Sequence, residues 1–189
     1  MAIRVDDASD LKARAGLYEL YSRLLLEELD LETLQLFQQE RWKDALREIE
    51  VHPPEPNPVS VEILAIDYCS IFIGPKDYCP PYQSVWQSGQ LQGQVVDSMR
   101  DFLDVVQTVS RPPIEDHAGL QFEVMAQVLQ HESEFGSQGL ADSFFRNHVS
   151  WTEAMLGRAS AMAETGFYQT VLLSAARFIG CEKQVFGSS

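Results

Sequence analysis

Residues 115–129 read Glu-Asp-His-Ala-Gly-Leu-Gln-Phe-Glu-Val-Met-Ala-Gln-Val-Leu, and their spacing decides the fold class. Ala118, Phe122, Met125 and Leu129 fall on one helical line, and Leu120, Val124 and Val128 fall on the next. Two neighbouring apolar lines are wider than the stripe of a surface helix, so this helix is expected to be buried on nearly all sides. Other helices must surround it. The same period recurs in both directions along the chain, and strict pairwise alternation of a half-buried strand is almost absent, so the expected fold is all-α.

Upstream, Leu11, Ala15, Tyr18, Ser22, Leu25 and Leu29 step by three and four, widened by Leu17, Leu20, Tyr21 and Leu24, which predicts a long first helix ended by Asp30. Asp30 can cap the next helix. Two short helices follow, one with Leu31, Leu34 and Phe37, the other with Trp42, Leu46 and Ile49, before four prolines between His52 and Pro58 forbid helix. Ser60 offers an N-cap to a helix carrying Ile63, Leu64, Ile66, Asp67, Ile71 and Phe72, which Gly74-Pro75 stops. Gly74 to Ser84 is expected to be a loop, because three prolines and a glycine fall within it. The helical pattern resumes from Leu91 to Val109 through Val95, Met99, Phe102 and Val106, and Arg111-Pro112-Pro113 ends it.

Downstream of the buried helix, a Gly/Ser stretch at Gly136 to Gly139 precedes one long helix with Phe144, His148, Trp151, Met155, Ala159 and Met162 in period. The last helix, with Phe167, Val171, Leu172, Ala175, Phe178 and Ile179, is expected to end at Gly180 and leave a frayed tail. These signals describe one helical bundle domain over residues 1–189 with two proline-rich interruptions.

The chain has 14 Lys+Arg against 28 Asp+Glu, a net charge of −14. A field of that sign repels phosphate backbones and anionic lipid, and no apolar run approaches the ~18 residues of a spanning helix, so neither nucleic acid nor membrane is an expected partner. A cationic partner is favoured. Three cysteines (Cys69, Cys79, Cys181) without a C-x-x-C pair argue against a disulfide framework and a thiolate zinc site. With three aspartates and no apolar run from Met1 to Asp10, this points to a cytoplasmic protein without a leader. Nucleophile-elbow, P-loop, dinucleotide and H-E-x-x-H motifs are missing, so no catalytic residue, metal or cofactor is expected. His131-Glu132 reads as a solvated helix end, because adjacent helical residues point about 100° apart.

Two constellations remain. Tyr78, Pro80, Pro81, Tyr82 and Trp86 are rigid and apolar beside the Tyr68/Phe72 helix, and either cradle an apolar peptide or fold back over the core. Glu115-Asp116-His117 opens the buried helix, where Asp116 reads as an N-cap and His117 as a first-turn residue.

Tyr68-Cys69-Ser70-Ile71-Phe72-Ile73-Gly74-Pro75, then Pro80-Pro81-Tyr82-Gln83-Ser84-Val85-Trp86, then Asp116-His117 at a helix start, with Leu17-Tyr18 near the beginning, together resemble the TorD/DmsD/NarJ family of molybdoenzyme-maturation chaperones. The specific part of the likeness runs from Tyr68 to Leu129. The resemblance implies an all-helical, TorD-like, non-catalytic chaperone for a molybdopterin-containing oxidoreductase subunit. It would hold that subunit's leader or N-terminal segment until cofactor is inserted. A twin-arginine leader offers two guanidinium groups followed by an apolar stretch, so its receptor needs carboxylates beside an apolar groove. On that basis Tyr68, Phe72, Pro81 and Trp86 are the expected apolar lining, Asp116 receives positive charge or orders the helix start, and His117 makes one hydrogen bond. Tyr18 and Tyr21 both qualify as the ring contributed by the first helix, and Glu123 lies about two turns beyond Asp116 on a similar face. The other reading is a helical adaptor that binds a partner helix with no link to cofactor insertion. Proline hinges also let helical bundles exchange elements between copies, which leaves a homodimer open.

Overall fold

Asp30 and Asn57 set two helix starts in the way short polar side chains do. The Asp30 carboxylate accepts from the Thr33 backbone N–H at 2.8 Å, and the Asn57 side chain accepts from that of Ser60 at 2.9 Å, with Pro58 in the first turn where its missing N–H costs nothing. Asn57 therefore takes the cap position expected of Ser60. A computed structural model describes residues 5–106, 114–135 and 139–187. Among them are ten α-helices, a single π-helical turn and no strand, which bears out the all-α expectation.

In chain order the helices are α1 (Val5–Leu26), α2 (Leu31–Leu36), α3 (Glu40–Glu48), α4 (Pro58–Phe72), α5 (Gln83–Ser88), α6 (Gln94–Val106), α7 (Ala118–Phe135), α8 (Leu140–Phe144), α9 (Thr152–Met162) and α10 (Gly166–Gly187). The π turn covers Phe145–Val149, between α8 and α9. The chain divides into two compact units. One comprises α1, α5 to α8, the π turn and the end of α10 from Lys183; the other comprises α2 to α4, α9 and α10 up to Glu182.

In the first unit α7 is the buried helix that its sequence demanded, with Leu120, Phe122, Val124, Met125 and Leu129 all fully enclosed. Tyr18 of α1 meets Phe122 edge-on at 5.4 Å, and Ser22 donates its hydroxyl to the Gly119 carbonyl at 2.8 Å. Gly119 makes this crossing possible, since a Cβ there would stand 2.7 Å from Leu26 Cγ and 3.1 Å from the Leu26 backbone nitrogen. In the second unit α4 buries Leu64, Asp67, Tyr68, Ile71 and Phe72. The Asp67 carboxylate accepts from the backbone N–H groups of Glu164 and Thr165 at 3.0 and 2.8 Å, tying α4 to the start of α10. Cys79 is enclosed there as well, and burial pushes its thiol up to about 11.

Several boundaries differ from the sequence reading. The loop after α4 stops at Tyr82, because Gln83 and Ser84 already belong to α5, which Gly89 closes in the left-handed conformation at φ 75°. The long helix expected through Phe144, His148, Trp151 and Met155 is broken by the π turn, where Ser150 N–H reaches back five residues to the Phe145 carbonyl at 2.9 Å. The last helix runs through Gly180 to Gly187 rather than fraying, and Phe186 stacks on Phe145 at 4.7 Å. Glu132 is not solvated: it is buried and accepts from Ala141 N–H at 3.1 Å, at the start of α8. Ile63 and Ile66, placed in the α4 pattern, are 51% and 61% exposed. Val109, Arg111-Pro112-Pro113 and Gly136 to Gln138 lie outside the described residues.

The Gly119 crossing makes a definite forecast. Gly119→Ala should improve helix propensity yet lower stability by about 1–3 kcal/mol, because the added methyl forces Leu26 aside. Denaturant unfolding of the two proteins measures it.

Candidate functional site

Pro81 to Ser84 and Asp116 to Ala118 are stitched together by three hydrogen bonds within the first unit. Ala118 N–H donates to the Pro81 carbonyl at 2.8 Å and Gln83 N–H donates to the Asp116 carbonyl at 3.1 Å, which together make an antiparallel bridge between Tyr82 and His117. The third is the shortest: Ser84 N–H donates to Asp116 Oδ2 at 2.6 Å. Asp116 thus caps α5 across 32 residues of sequence, not the helix it precedes. The cap of α7 is His117, whose Nδ1 accepts from Gly119 N–H at 3.1 Å. That exchange of roles corrects the local reading of both residues. Two helix starts, each with orphan backbone donors, meet at one junction and satisfy each other.

The Tyr82 ring stands edge-on to His117 at 5.2 Å, and Trp86 of α5 lies 6.2 Å from Trp151. Behind them runs a buried polar network that sequence reading did not find. Gln83 donates its amide to the Asn147 carbonyl at 2.6 Å and accepts from the Gln121 amide at 2.6 Å. Trp151 Nε1–H donates to Gln121 Oε1 at 2.8 Å. His148, on the π turn, sits between Gln83 Oε1 at 3.4 Å and Ser98 Oγ at 3.0 Å, with Phe102 and Phe144 against its ring. Gln83, Gln121 and His148 are each no more than 1% exposed, so every bond in the network replaces one with water. The signal that betrays them is a polar residue on an otherwise apolar helical line, but that pattern alone does not say what it faces.

Burial lowers both histidines to about 4. His117 must be unprotonated at Nδ1 to cap α7. Asp116 is entirely enclosed, and its second oxygen, Oδ1, makes no hydrogen bond among the described residues; the same holds for Ser84 Oγ.

Of the residues singled out from sequence, Pro81, Trp86, Asp116 and His117 are brought together at this junction. Pro81 is buried and Trp86 half-buried. Tyr18 and Tyr21 lie inside the α1–α7 packing at 0% and 2% exposure. Glu123 lines a separate cavity of about 290 Å³ with Glu19, Ser22, Arg23 and Leu26. Tyr68 and Phe72 belong to the second unit, where their rings meet at 5.0 Å and Tyr68 also meets Tyr168 at 6.2 Å. Glu115 accepts from Arg100 at 3.1 Å beside a polar cavity of about 430 Å³. Among the described residues no cluster of His, Cys, Asp and Glu is placed to hold a metal ion, and no helix is long and apolar enough to cross a membrane.

Comparison with known proteins places this helical scaffold and its clamped turn in a family. Residues 35–156 match the model of the nitrate reductase delta subunit family, and the chain belongs to that family. The matched segment contains Tyr68 to Pro75, Pro80 to Trp86 and Asp116-His117, the central residues of the resemblance to the TorD/DmsD/NarJ chaperones, while Leu17-Tyr18 lies before it. The chain is also similar to the chaperone protein YcdY of Escherichia coli (strain K12), with 29% identity over 108 residues. That match covers 57% of this chain and 56% of YcdY, so it spans little more than half the length of the relative.

The neutral histidines give the junction a pH dependence. Their native pKa lies below the ordinary value of about 6.5, so between pH ~6.5 and ~4 the unfolded chain binds more protons than the native one. Their contribution is complete above pH ~6.5 and is lost as pH falls toward ~4, by on the order of 3 kcal/mol for each buried ring. Urea unfolding at pH 7, 5.5 and 4.5 should show this loss, and His148→Gln should reduce its slope.

Proposed function

We propose that the chain is a cytoplasmic, non-catalytic chaperone, working as one domain over residues 1–189, which binds the leader or N-terminal segment of a molybdopterin-containing oxidoreductase subunit and holds it for cofactor insertion. The observation that carries this reading is the Asp116 carboxylate. One oxygen caps α5, the helix that carries Trp86, while the other is a buried acceptor with no hydrogen bond among the described residues. A guanidinium group is the natural partner for a leftover carboxylate oxygen. Because Asp116 is enclosed, a leader arginine reaches it only as the Pro81–Ser84 turn lifts, and the freed Trp86 then offers its ring to the apolar residues that follow. Within the first unit His117, Tyr18 or Tyr21, and Glu123 complete the binding set; Tyr68 and Phe72, the apolar residues that the resemblance adds to it, belong to the second unit. The charge of −14 draws a cationic leader and repels anionic competitors. Membership of the delta subunit family and the likeness to YcdY support the chaperone role.

Calorimetric titration with a synthetic peptide of two adjacent arginines followed by an apolar stretch tests the reading. Asp116→Asn retains an oxygen for Ser84 N–H, so the melting temperature should stay nearly constant while affinity falls at least about tenfold. Trp86→Ala should cost on the order of 2 kcal/mol of binding. Unchanged affinity in both variants would leave Asp116 a cap and Trp86 a packing residue. Affinity purification from the host, with mass spectrometry of the eluate, should recover a molybdopterin oxidoreductase subunit; its absence, with other helical partners in its place, favours the adaptor.

A further inference from the structure

α4 is apolar on both faces, yet only one of them is covered. Leu64, Tyr68, Ile71 and Phe72 are buried, whereas Val59, Ile63, Ile66 and Ile73 are 64%, 51%, 61% and 62% exposed. Scattered surface aliphatics are ordinary, but these four stand at i, i+4, i+7 and i+14, one straight line along the helix. Tyr78, 39% exposed, extends the line: its Cβ is 3.8 Å from the position a Cβ would take on Gly74, immediately past Ile73. A ridge of this form, about 21 Å long at 1.5 Å per residue, is what one face of a partner helix covers.

We infer that this outer face of α4 is a second docking surface, for a cationic amphipathic helix of a partner protein. Charge selects the occupant. Glu62 is exposed within the ridge, and Glu28 is exposed alongside it, accepting from the Cys69 thiol at 3.1 Å one turn from both Ile66 and Ile73. α4 itself carries no basic residue. A partner helix with an apolar stripe flanked by lysine or arginine satisfies both features. A second copy of this chain does not, because it would bring the same carboxylates and a further charge of −14. Four aliphatic side chains also fall well short of the ~800 Å² per partner that a stable dimer buries. The face uses none of the residues in the binding set proposed above, and the inference stands apart from that reading.

The probe is a fluorescein-labelled 16-residue peptide with a leucine stripe flanked by lysines, measured by fluorescence anisotropy against the full chain. Ile63→Glu/Ile66→Glu makes the protein more acidic, so attraction by charge alone would tighten binding. Loss of the apolar ridge should instead weaken it about tenfold or more, with an unchanged helical circular dichroism spectrum. Ile63→Ser/Ile66→Ser should weaken binding without the added charge, and Glu62→Lys should weaken it most at low salt. Asp116→Asn and Trp86→Ala should leave this affinity unaltered, which separates the face from the junction. Binding that survives both double substitutions overturns the inference. So does sedimentation showing a dimer that Ile66→Glu dissociates, since the ridge would then belong to a second copy.

Discussion

The Asp116 carboxylate against the backbone of Ser84 is the contact on which the candidate site depends. A six-residue helix such as α5 has too few internal hydrogen bonds to hold itself, and its first N–H groups have no acceptor within the helix. Asp116 supplies acceptors to the first two of them, from its carbonyl and its side chain. In return the Pro81 carbonyl takes the first N–H of α7. Neither helix start is complete without the other, so the position of Trp86 follows from a bond made 32 residues away.

The buried amides and imidazole behind the junction serve the same end by different physics. Gln83 is bound to Asn147, Gln121 and His148 at once, which joins α5, α7 and the π turn at a single side chain. An apolar residue there could slide with little penalty, whereas a buried amide that shifts leaves donors and acceptors unsatisfied. The π turn is part of the device: the extra residue rotates His148 out of the α-helical line and toward Ser98 and Gln83.

Much of the architecture was legible in residue order. Prolines between Pro53 and Pro58, the Asp30 cap and the wide stripe of α7 each act within a few residues, and each appears where the pattern placed it. The differences have separate causes. Ser60 lost the cap to Asn57 by three residues, within the ordinary ambiguity of adjacent cap formers. Gly180 did not end α10 because packing of Phe186 on Phe145 holds the segment beyond it. His148 and Met155 share a helical period but not a helix, since His148 lies on the π turn before α9, and that turn leaves no mark in hydrophobic spacing.

The site divides in the same way. Residue chemistry and spacing alone determined that the chain is all-α, acidic and equipped with a ring-rich turn and an Asp-His helix start, because periodicity, proline and charge are local properties. Which helix Asp116 caps, how Gln121 and His148 are satisfied, and which face of α4 remains wet were decided by tertiary structure. Each depends on a partner dozens of residues distant, and a hydrogen bond or a covered surface has no existence until the fold brings that partner into reach.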